Sequence, residues 1–176
     1  MRKYLKYYFL EKYLFGEVKN NFQKKGYLMP KEFLAIVIWK RNASKTKIIR
    51  GIKATRKTIR QITQKINRLE NREDKLRELL KIKNIGIAIA SAILAVLYSK
   101  EFTIIDYRVM NSLKDLKIKI GGNPDQNIKD YLEYIDICKK EAKKNKLSLR
   151  DFDRALWARD FYKGRNGLKE ISINIK

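Results

Sequence analysis

Apolar residues recur along this chain at intervals of three and four and almost nowhere alternate with polar ones as a half-buried strand requires, which predicts an all-α protein. Residues 3–15 set Tyr4, Tyr7, Tyr8, Leu10 and Leu14 among lysines, an aromatic-rich helix suited to docking on a core. Gly16 and Gly26 punctuate the lysine-rich stretch that follows, and Pro30 opens a helix over 31–40. Phe33, Leu34, Ile36, Val37 and Ile38 make that helix apolar on nearly every side, so it belongs deep in the core. Between 44 and 82, Ile48, Ile52, Ile59, Ile62, Ile66, Leu69, Leu76 and Leu79 mark amphipathic helices broken near Gly51 and again around Asn71.

Further on, Ile85 to Tyr98 is a continuous apolar run, read as a buried helix, and after a break at 99–103 Asp106 stands at the mouth of another helix reaching about Leu116. Gly121-Gly122-Asn123-Pro124 is a turn, after which Asp125 can cap a helix with Ile128, Leu132, Ile135, Cys138 and Ala142 on one face. Past a polar loop at 143–146, Ser148-Leu149-Arg150-Asp151 resembles a capping box opening a last helix that Leu156 and Trp157 dock. No repeat or low-complexity segment divides the chain. The expectation is one compact helical domain over 1–176.

Charge changes the picture more than composition does. Forty-two Lys and Arg against 19 Asp and Glu leave a formal charge of +23, and such a field attracts polyanions. Lys45, Lys47, Arg50, Lys53, Arg56, Lys57 and Arg60 line one helical face that can track phosphates or simply be solvated. With no histidine, the usual hydrolase triads are excluded, and a lone Cys138 excludes an internal disulfide, a four-cysteine iron–sulfur cluster and a cysteine zinc site. Chemistry must rest on carboxylates, lysine or tyrosine. The apolar run falls short of the roughly 20 residues a membrane span needs. Lys6, Glu11 and Lys12 interrupt the opening segment, so neither a membrane helix nor a secretory signal is expected and the protein is placed in the cytoplasm.

Ile82-Lys83-Asn84-Ile85-Gly86-Ile87-Ala88-Ile89-Ala90 reads as a short hairpin opening a helix, where Gly86 lets the backbone turn tightly and the following amides form an anion seat. This stretch resembles the helix-hairpin-helix DNA glycosylases, whose hairpin reads approximately Leu-Pro-Gly-Val-Gly-x-x-x-Ala; Asn84 stands at the first glycine. The motif is expected over about 74–98. Two residues after the second glycine the bifunctional members carry a catalytic lysine, here Ala88, and an aspartate follows by about eighteen residues in a Val-Asp-x-His-Val-like motif. Eighteen residues beyond Ala88 is Asp106, in Ile105-Asp106-Tyr107-Arg108-Val109.

The resemblance implies a monofunctional N-glycosylase acting on duplex DNA in base-excision repair, with Asp106 stabilising the cationic sugar, and alanine at 88 unable to form a Schiff base. Lys83, Lys100 and Lys40 are the lysines that could substitute. The resemblance further implies that Lys83, Asn84, Ile85, Gly86, Ala88 and Arg108 contact DNA and that Asn42, closing LAIVIWKRNAS, wedges into the duplex. Trp39, Lys40, Tyr107 and Trp157 are expected around the base, with Asp153 and Arg154 closing over it. Each has a plainer reading: Asp106 as a helix cap, Asn42 as a helix end, the tryptophans as core. No cofactor is expected beyond, at most, a monovalent cation at the hairpin, and the protein is expected to be a nucleoid-associated monomer. Only 46 residues separate Asn42 from Ala88, so the helical barrel is abbreviated. The alternatives are a non-catalytic helix-hairpin-helix DNA binder and an RNA-binding accessory protein.

Overall fold

The helix the others surround is α7 (Ile87–Leu97), in which every residue but Ala88 is buried. Its sequence, IAIASAILAVL, carries no charge, and Ala90, Ser91, Ala92 and Ala95 let neighbouring helices approach closely. The computed structural model describes residues 9–163, and every regular element among them is helical. Short α1 (Leu10–Tyr13) runs through a π-helical turn, Leu14–Val18, into α2 (Lys19–Lys25), followed by α3 (Pro30–Arg41), α4 (Lys45–Ala54), α5 (Ile59–Arg68) and α6 (Arg72–Leu80). After α7 come α8 (Tyr107–Asp115), α9 (Ile128–Lys144) and α10 (Leu149–Lys163). α2, α3 and α6 pack on α7, while α10 packs on α8 and α9. One cluster of buried residues extends from Tyr13 to Leu156. No helix among the described residues is long and apolar enough to cross a membrane.

Several boundaries differ from the sequence expectation. Of the helix foreseen at 3–15, residues 3–8 lie outside the described residues. Gly16 does not break the helix but lies within the π-helical turn, whereas Gly26 ends α2 as expected. Gly51 lies inside α4, and the break comes at 55–58, where Thr58 caps α5. Asn127, not Asp125, caps α9 by accepting the Lys129 and Asp130 amides. α3 buries Phe33, Ile36 and Val37 but leaves Ile38 37% exposed, so it is amphipathic rather than fully enclosed.

What matters most for the site is an extended, buried segment, Phe102–Ile105, between α7 and α8. A buried backbone outside helices needs partners from side chains. Tyr131 Oη donates to Thr103 O at 2.7 Å and Tyr134 Oη to Ile104 O at 2.9 Å. The Ile105 amide donates to Ser91 Oγ at 3.2 Å, and Lys40 Nζ donates to Ile105 O at 2.9 Å. Helices α3, α7 and α9 thereby fix the residue that follows, Asp106.

Candidate functional site

The turn between α6 and α7 is closed by the Ile85 amide donating to Ile82 O at 3.0 Å. Asn84 takes the left-handed conformation, φ +70°, which asparagine tolerates better than most residues. Gly86 is extended at φ −96°, ψ 176°; the tight bend assigned to it is made by Asn84 instead. Asn84 Nδ2 donates to Lys47 O at 3.0 Å, and the backbone of Gly51 lies so close to Lys83 O that a Cβ there would stand 2.1 Å away. α4 is therefore clamped against the turn, beside exposed Lys83, with exposed Lys47 on its first turn. Thr58, Asn71, Asp106 and Asn127 cap their helices with side-chain oxygens, whereas α7 starts at Gly86 with no side-chain cap, as α3 and α4 do at Met29 and Ser44. A Cβ on Gly86 would meet nothing within 4 Å. The positive end of α7 thus opens toward solvent.

A cavity of about 510 Å³ lies between α1, the end of α3, the mouth of α8 and α10, lined by Glu11, Trp39, Lys40, Ile104, Asp106, Arg150, Asp153, Arg154, Trp157 and Ala158. That size is within the range of small-molecule sites. Asp106 caps α8: Oδ1 accepts the Arg108 amide at 3.1 Å while Oδ2 accepts from Lys40 Nζ at 2.7 Å. Its side chain is 22% exposed and that of Lys40 12%, so the pair is shielded but reachable. Trp39 meets Phe15 edge to face at 5.7 Å, and Trp157 stacks on Phe161 at 5.0 Å, leaving both indoles on the cavity wall.

The remaining charges form a second network. Arg150 donates to Asp153 through Nη1 and to Glu11 Oε1 through Nη2 at 2.8 Å, and Arg154 Nε reaches the same Glu11 oxygen at 2.5 Å. The Arg150 guanidinium lies 4.4 Å from the Phe15 ring centre and 5.5 Å from that of Trp39, and its Nε is buried with no hydrogen-bond partner. Burial pushes Glu11 up, but Arg150 and Arg154 outweigh it and hold the carboxyl below its usual value. Asp153 goes the other way. Burial prevails over Arg150 and Lys40, with Asp106 adding to the rise, and its carboxyl is pushed up to about 6.

Asp106, Trp39, Lys40 and Trp157 of the foreseen site meet at one cavity, with Asp153 and Arg154. Tyr107 does not join them. It is 64% exposed at the first residue of α8, outside the cavity lining, with the Arg108 guanidinium 4.9 Å from its ring. Arg108 itself pairs with Asp160 at 3.1 Å and lies near the rings of Trp157 and Phe161. Asn42 is exposed at the end of α3 and outside the cavity lining, and Ala88 is half-buried against the core. Trp157 does not dock α10; Phe152 and Leu156 do so while it remains 41% exposed. Sequence reasoning missed Glu11, Arg150, Ile104 and Ala158. The Arg inside Ser-Leu-Arg-Asp was the one available signal. No protein-family model, curated protein or solved structure matches the chain.

Proposed function

We propose that this protein is a monofunctional DNA N-glycosylase that excises a damaged or mismatched base from duplex DNA. The reading is carried by the Asp106 carboxylate, fixed on the wall of a cavity that also presents two indoles and lying eighteen residues beyond the alanine that follows the turn. It is supported by the charge of +23 and by the uncapped start of α7 beside exposed Lys83, which together suit a phosphate of the gripped strand.

On this reading the turn seats one strand and the nucleotide is extruded into the cavity, its base against Trp39 and Trp157. As the glycosidic bond lengthens, positive charge grows on the sugar, and a carboxylate held by a backbone amide and an ammonium stabilises that charge without having to reorganise. Water completes the displacement. Of Lys83, Lys100 and Lys40, only Lys40 lines the cavity, and it donates to both Ile105 O and Asp106 Oδ2. An ammonium so engaged offers no lone pair, which favours hydrolysis over a Schiff base.

The test is a panel of duplexes carrying uracil, thymine opposite guanine, hypoxanthine, an alkylated purine and an oxidised guanine, each incubated with protein and then cleaved with alkali at abasic sites. Release from at least one duplex, with no adduct trapped by borohydride, is expected. A trapped adduct contradicts the monofunctional assignment. The Lys40–Asp106 pair also favours a second reading, in which Asp106 is a cap and an ion-pair partner and the chain grips DNA without chemistry; binding with no release from any duplex would establish it.

A further inference from the structure

We infer that the basic face of α4, with the loop after it, is a second DNA-binding surface that holds the sugar-phosphate backbone of a duplex beyond the strand seated at the turn. It rests on the proposed function in one respect, that the turn seats a DNA strand. Residues 33–69 hold eleven Lys and Arg and no Asp or Glu. Two of these cations reach a carboxylate from elsewhere, Lys40 on Asp106 and Lys65 on Glu78, and Arg60 lies 4.2 Å over the Tyr27 ring. α4 buries Ile48, Gly51 and Ile52 and exposes Lys47, Arg50 and Lys53, and the loop that follows exposes Arg56 and Lys57. None of these five has a carboxylate partner among the described residues. Other exposed helices are built differently. Arg77 on α6 has Glu73, Lys144 on α9 has Glu141 and Arg154 on α10 has Asp151, each about one helical turn away. Along α4 that spacing holds only like charges, Lys47 beside Arg50 and Arg50 beside Lys53, which weakens a helix standing alone in water. A row of phosphates relieves that repulsion and releases the counterions condensed on the nucleic acid.

The position and chemistry of this face select its partner. Asn84 Nδ2 donates to Lys47 O at 3.0 Å and the Gly51 backbone packs against Lys83 O, so the cations of α4 continue the surface that Lys83 begins. Between 45 and 60 no large apolar side chain is exposed, and the face has nothing to bury in a lipid surface. It has no aromatic residue either, whereas the unpaired bases of single-stranded DNA and of RNA loops are held by stacking. The exposed residues between the cations are Thr46, Ala54 and Thr58, small side chains that let a backbone approach. Duplex DNA, which presents phosphates and keeps its bases stacked inside, is the polyanion that fits, and contacts of this kind position the protein without reading sequence. The footprint therefore runs past the turn on the side of α4, and the affinity depends on salt more steeply than the turn alone supplies.

The experiment compares wild type with a triple variant, Arg50→Gln, Lys53→Gln and Lys57→Gln, and with a control that removes the same charge from exposed positions on and after α9, Lys140→Gln, Lys143→Gln and Lys146→Gln. Affinity for an undamaged duplex is read from about 50 to 200 mM salt, with urea unfolding of each variant as the check on its fold. In the α4 variant the slope of log affinity against log salt is expected to shrink by about 2–3 and the affinity at about 100 mM salt to fall about tenfold or more, while the unfolding midpoint is no lower than wild type. The control is expected to keep its slope to within about 1, and a charge-keeping variant, Arg50→Lys, Lys53→Arg and Lys57→Arg, to keep it as well. An equal change in the α4 variant and the control, an unchanged slope in the α4 variant, or an equal loss in the charge-keeping variant overturns the inference. So does wild-type protein that binds double-stranded RNA, single-stranded DNA or phosphatidylserine vesicles more tightly than the duplex. Failure of the proposed chemistry reads differently: no base release from any damaged duplex, with the α4 effect on binding intact, removes the glycosylase and leaves this surface. Wild type that binds no duplex overturns both.

Discussion

The turn between α6 and α7 and the cavity between α3 and α10 are built in opposite ways. The turn is made from consecutive residues, of which Lys83, Asn84 and Gly86 are exposed beside the start of α7 while Ile82 and Ile85, the latter expected at the DNA, are buried in the core. In the cavity the charged residues come from four distant segments, around positions 11, 40, 106 and 150–154, and each has a partner from another segment or along α10. On the proposed function, the difference separates two tasks. A surface of open amides and lysines holds a polyanion through a salt-sensitive field, while a shielded set of paired charges keeps a carboxylate in one place for chemistry.

If the tasks are separate, damage to one region leaves the other working. The largest effect is expected for Asp106→Asn, which keeps a cap acceptor but removes the charge: single-turnover base release falls by about 10²–10³-fold, roughly 3–4 kcal/mol of barrier, while duplex affinity changes little. Next is Gly51→Ala. Its Cβ would strike Lys83 O, so α4 must move off the turn, and a loss of about 3 kcal/mol in urea unfolding is expected along with weakened duplex binding. Tyr134→Phe strands the buried Ile104 carbonyl and should cost about 1–2 kcal/mol of stability, with a slower rate from a loosened Asp106 and unchanged DNA affinity. The smallest is Lys83→Ala: the slope of log affinity against log salt should shrink by about 1, with the rate from the bound complex unaltered. A Lys83→Ala variant that slowed release as strongly as Asp106→Asn would dissolve the distinction.

The two regions also differ in how far the linear sequence reveals them. The turn and α7 announce themselves through an unbroken apolar run behind a short polar interruption, and Asp106 through a break followed by helical periodicity. Even so, the sequence points to Gly86 for the bend that Asn84 adopts, because asparagine's tolerance of positive φ is a weaker signal than glycine's. Gly51 reads as a helix break in the sequence, whereas it is a contact point whose need arises from Lys83, far along the chain. Within the cavity, Trp39, Lys40 and Trp157 could be suspected only from the resemblance. Glu11 and Arg150 left no periodic trace, since a charged residue on a helix ordinarily means a solvated face, and only tertiary packing turns Arg150 and Asp153 inward.

The most direct test is a crystal structure of the protein on a duplex whose target nucleotide carries a 2′-fluoro group that resists cleavage. That nucleotide is expected rotated out of the helix, its C1′ facing the Asp106 carboxylate, its base between Trp39 and Trp157, and a strand phosphate against the first amides of α7. A target nucleotide still stacked in the duplex, or DNA bound on a face remote from Asp106, would contradict it.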